Sequence, residues 1–143
     1  MKTNIRIYVD GVFDLTHYGH FALFKKIKQI YPTSILLVGV SSDEDCTRNK
    51  TKTILTHDER IKSLSYCKYI DNIINDIPWI VDEEFVKKNS IDYICHDPLP
   101  YLHKDTDDIY KIWKNKGMFI GLNRTEGIST SDIINRIKKQ HQM

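Results

Sequence analysis

The stretch Ile5-Arg6-Ile7-Tyr8-Val9-Asp10-Gly11-Val12-Phe13-Asp14-Leu15-Thr16-His17-Tyr18-Gly19-His20 decides the fold of this chain. Ile5 to Val9 is an apolar run of strand type. It passes through a turn into Phe21 to Ile30, where apolar residues recur at helical spacing. A strand that feeds a helix across such a junction is where α/β folds hold phosphates, because the helix N-terminus offers free N–H groups to an anion. His17 and His20 lie three residues apart and share a face if a helix begins near Gly19, so each can donate a ring N–H to one phosphate chain. Gly19 carries no side chain and lets the backbone approach an oxyanion.

Working outward, strand-type runs recur at Ile35 to Val40, Tyr69 to Ile74, Ile91 to Cys95 and Met118 to Leu122. Between them, Thr56-His57-Asp58-Glu59 reads as a capping box opening a helix through about Cys67. Asp82 caps a short helix to about Asn89, and a helix over Asp107 to Lys116 ends at Gly117. Strands alternating with helices predict an α/β fold with a mostly parallel five-stranded sheet and helices on both faces. Residues 1–143 are the size of a single domain. Two polar stretches, Asp45 to Leu55 and Asp97 to Thr106, read as loops after the second and fourth strands, at the sheet edge where ligands bind.

Near the other end, Arg124 precedes a permissive Gly127. Ser129, Thr130 and Ser131 then stand as candidate N-caps for a helix over Asp132 to Lys139. A guanidinium, hydroxyls and free N–H groups again suit an anion.

The net charge of +2 is too mild and too scattered to argue for nucleic acid. Three cysteines, Cys46, Cys67 and Cys95, form no Cys-X-X-Cys pair, which argues against a disulfide framework and for a cytoplasmic, reducing setting. The longest apolar run, Ile35 to Val40, is far short of a membrane span, and neither a signal peptide nor a membrane-binding segment is read in the chain. No Asp/Glu cluster suggests a metal site. No Ser-His-Asp set suggests a nucleophile, so catalysis is expected to rest on positioning and on stabilising charge.

His17-Tyr18-Gly19-His20 resembles the His-X-Gly-His motif of the nucleotidyltransferase superfamily. Arg124-Thr125-Glu126-Gly127-Ile128-Ser129-Thr130 resembles the Arg-Thr-Glu-Gly-Ile-Ser-Thr motif of its cytidylyltransferase branch. Within that branch the chain is most similar to the catalytic domain of the choline-phosphate cytidylyltransferases, from about Ile7 to Ile137, with Asp58-Glu59-Arg60, Pro78-Trp79, His96-Asp97 and Pro100-Tyr101 among the matching segments.

The resemblance implies a Rossmann-like nucleotidyltransferase fold. It also implies attack by phosphocholine on the α-phosphorus of CTP, with Mg²⁺ carried on the CTP phosphates. It gives catalytic roles to His17, His20, Lys50 and Arg124, and puts Arg60 near the site. The nucleotide would meet Gly11, Val12, Phe13, Gly19, Asp97, Asn123, Arg124, Thr125, Ile128, Ser129 and Thr130. Phosphocholine would meet Asp10, Lys50, Trp79, His96 and Tyr101, since a quaternary ammonium is recognised by aromatic faces and a counter-charge. Family members are homodimers, and Lys68-Tyr69-Ile70-Asp71 resembles a segment used at that interface.

The chain departs from the family pattern at three places. Asn49-Lys50-Thr51 stands for Phe-Lys-Gly, leaving Arg48 and Lys52 as neighbours able to substitute. Asn123 stands for glutamine, and Pro98-Leu99 for Asp-Ile. Ethanolamine-phosphate or glycerol-3-phosphate cytidylyltransferase, and a nucleotide-binding protein without turnover, stay open as alternatives.

Overall fold

Successive residues of the first strand, β1 (Arg6–Gly11), face opposite sides of the sheet. Ile7 and Val9 belong to one core and Tyr8 to the other, as the period of an extended chain requires. The computed structural model describes residues 4–104 and 106–142; one residue of the loop read at Asp97 to Thr106 falls outside them. Beyond β1 the chain forms α1 (Tyr18–Ile30), β2 (Ile35–Val40), α2 (Asp43–Asn49), α3 (His57–Leu64), β3 (Asn72–Ile74), α4 (Glu83–Lys88), β4 (Tyr93–His96), α5 (Lys111–Asn115), β5 (Phe119–Gly121) and α6 (Thr130–Gln140).

The strands make one parallel sheet in the order β3-β2-β1-β4-β5. Phe24 and Ile27 of α1 and Leu64 of α3 cover one face, packed with Ile7, Val9, Leu36, Val38, Val40 and Cys95. Phe85 and Val86 of α4 and Trp113 of α5 cover the other, with Tyr8, Leu37 and Ile94. Each such side chain contributes roughly 1.5–3 kcal/mol when fully buried, so these two layers outweigh the exposed ion pairs in holding the sheet.

The strand order places a topological switch between β1 and β4, where ligands bind in open α/β sheets. β1 pairs with β2 from Arg6 through Gly11, but with β4 only at Ile7 and Tyr8. Asp10 and Gly11 therefore run past the end of the β1–β4 ladder. A crevice opens there at the carboxyl edge of the sheet.

Several boundaries differ from the sequence reading. The stretch read as a loop from Asp45 to Leu55 begins inside α2, because Ser42 accepts the Asp45 N–H at 3.1 Å and Asp43, Glu44 and Asp45 favour the positive end of a helix. Lys50 is the C-cap of that helix rather than a mid-loop residue. Helix α5 begins at Lys111, not Asp107. The Asp108 carboxylate takes the N–H groups of Tyr101 and Tyr110 at 3.2 and 3.0 Å, which holds residues 106–110 as a strap. β3 is shorter than Tyr69 to Ile74, because residues 67–70 form turns before Asp71 pairs with Leu36 through both its N–H and its carboxylate. β4 starts at Tyr93 and β5 spans only Phe119–Gly121, while β2 has the predicted bounds. The Thr56–Glu59 capping box and the Asp82 cap form as read, although α3 ends at Leu64.

Candidate active site

The turn after β1 is strained and held from three sides. Phe13 and Leu15 adopt φ of 54° and 47°, a left-handed conformation that costs a side-chain-bearing residue on the order of 1–2 kcal/mol. Between them, the Asp14 carboxylate accepts the N–H groups of Ile54 and Leu55 at 2.7 and 2.9 Å. The Asp14 main-chain oxygen accepts the Thr130 hydroxyl at 2.8 Å.

Arg60, fully buried on α3, donates to the main-chain oxygens of Val12 (2.6 Å) and Ser41 (2.9 Å) and to Asp43 Oδ1 (2.8 Å). Its place near the site is thus beneath the turn, where the guanidinium fork satisfies carbonyls that the strained backbone leaves exposed. The Gly11 and Val12 oxygens, both on the segment expected to meet base and ribose, are engaged by Ser41 N–H and Arg60.

His17 is the N-cap of α1 and His20 its third residue, and the two form a capping box made of imidazoles. His17 Nδ1 accepts the Gly19 N–H at 3.0 Å, and His20 Nδ1 accepts the His17 N–H at 3.1 Å. A ring nitrogen that accepts carries no proton, so each neutral imidazole bears its proton on Nε2. The rings stack with centroids 3.9 Å apart. Burial pushes the His17 pKa down. Burial, with the charges of His17 and Arg124, pushes His20 to about 4 against an opposing pull from Asp14. At neutral pH the pair is two uncharged Nε2–H donors rather than two cations.

The C-terminal segment docks onto this junction. A Cβ on Gly19 would lie 2.9 Å from both His17 Cε1 and Ile128 Cγ2, so the missing side chain makes room for the His17 ring and for Ile128 rather than baring backbone. Gly127, at φ 90°, turns the chain toward Ser129, which caps α6 by accepting the Asp132 N–H at 3.1 Å. Of the expected N-caps, Ser129 fills the role, and α6 starts at Thr130.

The hydroxyls of Thr125 and Thr130 do not point free toward an anion. They donate to the main-chain oxygens of Gly19 (3.3 Å) and Asp14 (2.8 Å), and a hydroxyl has one proton to give. Arg124 is largely exposed, with Nε 3.9 Å from Asp97 Oδ2, so two expected nucleotide residues meet across the β4–β5 edge. Asn123 is exposed.

The crevice beside β1 gathers Asp10, Gly11, Val12, Lys50, Trp79, His96 and Tyr101, with Ser41, Ile109 and Tyr110. Tyr110 escaped the sequence reading. Its ring stacks on His96 (centroids 4.5 Å, 27°) and stands edge-on to Tyr101, and its hydroxyl donates to Asp10 Oδ1 at 2.9 Å. The strap made by Asp108 brings it there, a contact no local periodicity reveals. Burial raises the Asp10 pKa, opposed by the charge of His96, the Tyr110 bond and the charge of Lys50. Lys50 Nζ lies 5.9 Å from the Trp79 ring centroid and 5.5 Å from that of Tyr101, within cation–π range. Two aromatic rings thus face a positive charge in a crevice that the Asp10 carboxylate also lines. No group of three or more His, Cys, Asp or Glu side chains among the described residues gathers closely enough to hold a metal ion, and no helix among them is long and apolar enough to cross a membrane.

The family model described as cytidylyltransferase-like matches residues 8–136. Choline-phosphate cytidylyltransferase 2 of Arabidopsis thaliana is 45% identical over 139 residues, covering 96% of this chain and 46% of that protein. The choline-phosphate cytidylyltransferase of Saccharomyces cerevisiae is 44% identical over 137 residues, 96% of this chain and 32% of its own. An ethanolamine-phosphate cytidylyltransferase of Dictyostelium discoideum is more distant, 34% identical over 136 residues, 95% of this chain and 37% of its own. The chain therefore spans less than half the length of these curated relatives. In fold it is similar to the crystal structure of a lipopolysaccharide core biosynthesis protein from Thermoplasma volcanium GSS1, with a TM-score of 0.62, 24% identity, and coverage of 87% of this chain and 98% of that one.

Proposed function

The chain belongs to the cytidylyltransferase-like family, and from that premise we propose that it transfers CMP from CTP to phosphocholine, forming CDP-choline and pyrophosphate. A phosphocholine oxygen attacks the α-phosphorus of CTP in line, and the bond from that phosphorus to the β-phosphate oxygen breaks. The phosphomonoester is largely dianionic at neutral pH, so no general base is needed. What the reaction asks for is alignment and relief of charge.

His17 and His20 supply the relief as uncharged Nε2–H donors, held by the backbone bonds on their Nδ1 atoms. Fixed donors aimed at developing charge lose nothing to reorganisation during the reaction. Arg124 clamps the β- and γ-phosphates, aided by main-chain groups of Thr125, Ile128, Ser129 and Thr130 at the start of α6. Lys50 neutralises phosphate oxygens of both substrates. Gly11, Val12, Phe13, Gly19, Asp97 and Asn123 border the nucleotide, and Mg²⁺ enters as part of the CTP substrate.

The observation that carries the choice of phosphocholine is the cage. An ammonium already lies over both Trp79 and Tyr101, beside the Asp10 carboxylate. A trimethylammonium has no N–H to donate and gains most from such faces, whereas a primary ammonium would seek acceptors. His96 and Tyr110 complete the wall. A cytoplasmic homodimer belongs to the same proposal, supported by three free thiols and by an exposed Tyr66 beside the 68–71 segment.

The test is turnover with CTP and Mg²⁺ against phosphocholine, phosphoethanolamine and glycerol 3-phosphate. Pyrophosphate release with a clearly higher kcat/KM for phosphocholine is expected. Better use of phosphoethanolamine would move the assignment to that alcohol, and CTP binding without pyrophosphate from any acceptor would make the chain a binding protein.

A further inference from the structure

We propose that Lys50 is the built-in occupant of the aromatic cage, so that the quaternary ammonium of the substrate enters by displacing the Lys50 ammonium, which is thereby released to the reacting phosphates. The inference rests on the phosphocholine reading above and adds to it a competition between two cations for one seat.

The seat is defined by distance. Nζ of Lys50 lies 5.9 Å from the Trp79 centroid and 5.5 Å from that of Tyr101, and Lys50 lines the same crevice as Asp10. Two unit charges cannot share such a space, since their repulsion is weakly screened away from bulk water. One must leave when the other arrives. The backbone of Lys50 does not have to move. Its N–H donates to Cys46 O at 2.8 Å as the C-cap of α2, and the neighbouring Asn49 Oδ1 lies 3.2 Å from His103 Nε2, tying this helix end to the loop that carries Tyr101. What moves is a four-carbon stem with a compact charge at its tip. Gly11 and Val12, expected to border the nucleotide, line the same crevice, so a displaced ammonium has the phosphates of both substrates nearby. Filling of the alcohol pocket and delivery of the phosphate-neutralising charge then become one event. The binding-competent form of the cage is also only a fraction of the population, which weakens apparent affinity for the choline head group.

The test measures binding of choline itself, which has no phosphate, by calorimetry at fixed ionic strength. Removing the internal cation in Lys50→Met should tighten choline binding by roughly two- to thirtyfold, the range spanned by one cation–π contact. Lys50→Gln repeats the measurement with a polar neutral side chain, and a melting temperature in each variant matching that of the unaltered protein checks that the fold is intact. Lys50→Arg keeps a cation that stacks on aromatic rings and should show no gain. Lys52→Met removes a nearby exposed charge outside the cage and should also show none. A lysine that acts on phosphates alone would leave choline affinity the same in every variant. Absent, unchanged or weaker choline binding in Lys50→Met, or an equal gain in Lys52→Met, overturns the inference. Turnover of phosphocholine by the unaltered protein is read separately, so the inference can fall while the proposed function stands.

Discussion

Thr130 donates its hydroxyl to the main-chain oxygen of Asp14 at 2.8 Å, joining residues 116 apart in sequence. Asp14 lies between Phe13 and Leu15, both held at positive φ, so the C-terminal segment braces the strained turn that opens the site. Thr130→Val keeps the shape of the side chain and removes the donor. It should cost about 1 kcal/mol in urea denaturation and raise KM for CTP more than KM for phosphocholine, because the braced turn borders the nucleotide. Equal rises in both constants would place the brace outside nucleotide binding.

The capping bonds of His17 and His20 separate their structural from their chemical work. Asn is a good N-cap, so His17→Asn can still accept the Gly19 N–H while offering no Nε2–H. Its melting temperature should stay close to that of the unaltered protein, while kcat falls by the ~10²–10³ expected when one oxyanion donor is lost. A variant that melts normally and turns over normally would remove His17 from the reaction.

The same histidines make stability depend on pH. His20 in the folded chain resists protonation down to about 4, whereas an unfolded histidine binds a proton near 6.5. Between those values the unfolded chain holds more protons, so stability rises with pH. The contribution is fully present above about 6.5 and is lost as pH falls toward 4, by about 3.5 kcal/mol at most at ~1.4 kcal/mol per unit. His17 shifts in the same direction. Urea midpoints from pH 7 to 4.5 should fall more steeply for the unaltered protein than for His20→Gln, whose amide can accept a main-chain N–H without titrating. Parallel curves would show that His20 is not the group responsible.

Legibility followed the range of the interactions. The strand cores, the Thr56 capping box and a cap within Ser129 to Ser131 are local patterns of period or spacing and are readable from the chain, though only the structure picks Ser129 among the three. The family resemblance puts Arg60 near the site, but nothing in its helix reveals that its partners are Val12, Ser41 and Asp43, brought together only when β1, β2 and α2 assemble. Helix α2 did leave a local signal, Ser42 followed by three acids, overridden by the polarity of the stretch as a whole. Tyr110 left none. Its role depends on Asp108 folding residues 106–110 into a strap instead of a helical turn, and on a partner 100 residues away.

That partner makes Tyr110 a test of how the cage is charged. Burial pushes the Asp10 carboxyl up, while His96, the Tyr110 hydroxyl and Lys50 hold it toward its ionised form. Tyr110→Phe keeps the ring that stacks on His96 and deletes only the donor to Asp10 Oδ1. A hydrogen bond to a charged group contributes about 1.5–3 kcal/mol, so without it Asp10 should protonate at a higher pH. An un-ionised Asp10 gives a quaternary ammonium no counter-charge. The acid limb of kcat/KM for phosphocholine should therefore move to higher pH in Tyr110→Phe, with kcat/KM reduced more on that limb than on the plateau above it. The phosphate of phosphocholine also titrates on the acid side, but it does so identically with both proteins, so any displacement between the two profiles belongs to the enzyme. Superimposable profiles would show that Asp10 is not the counter-charge whose ionisation the cage needs.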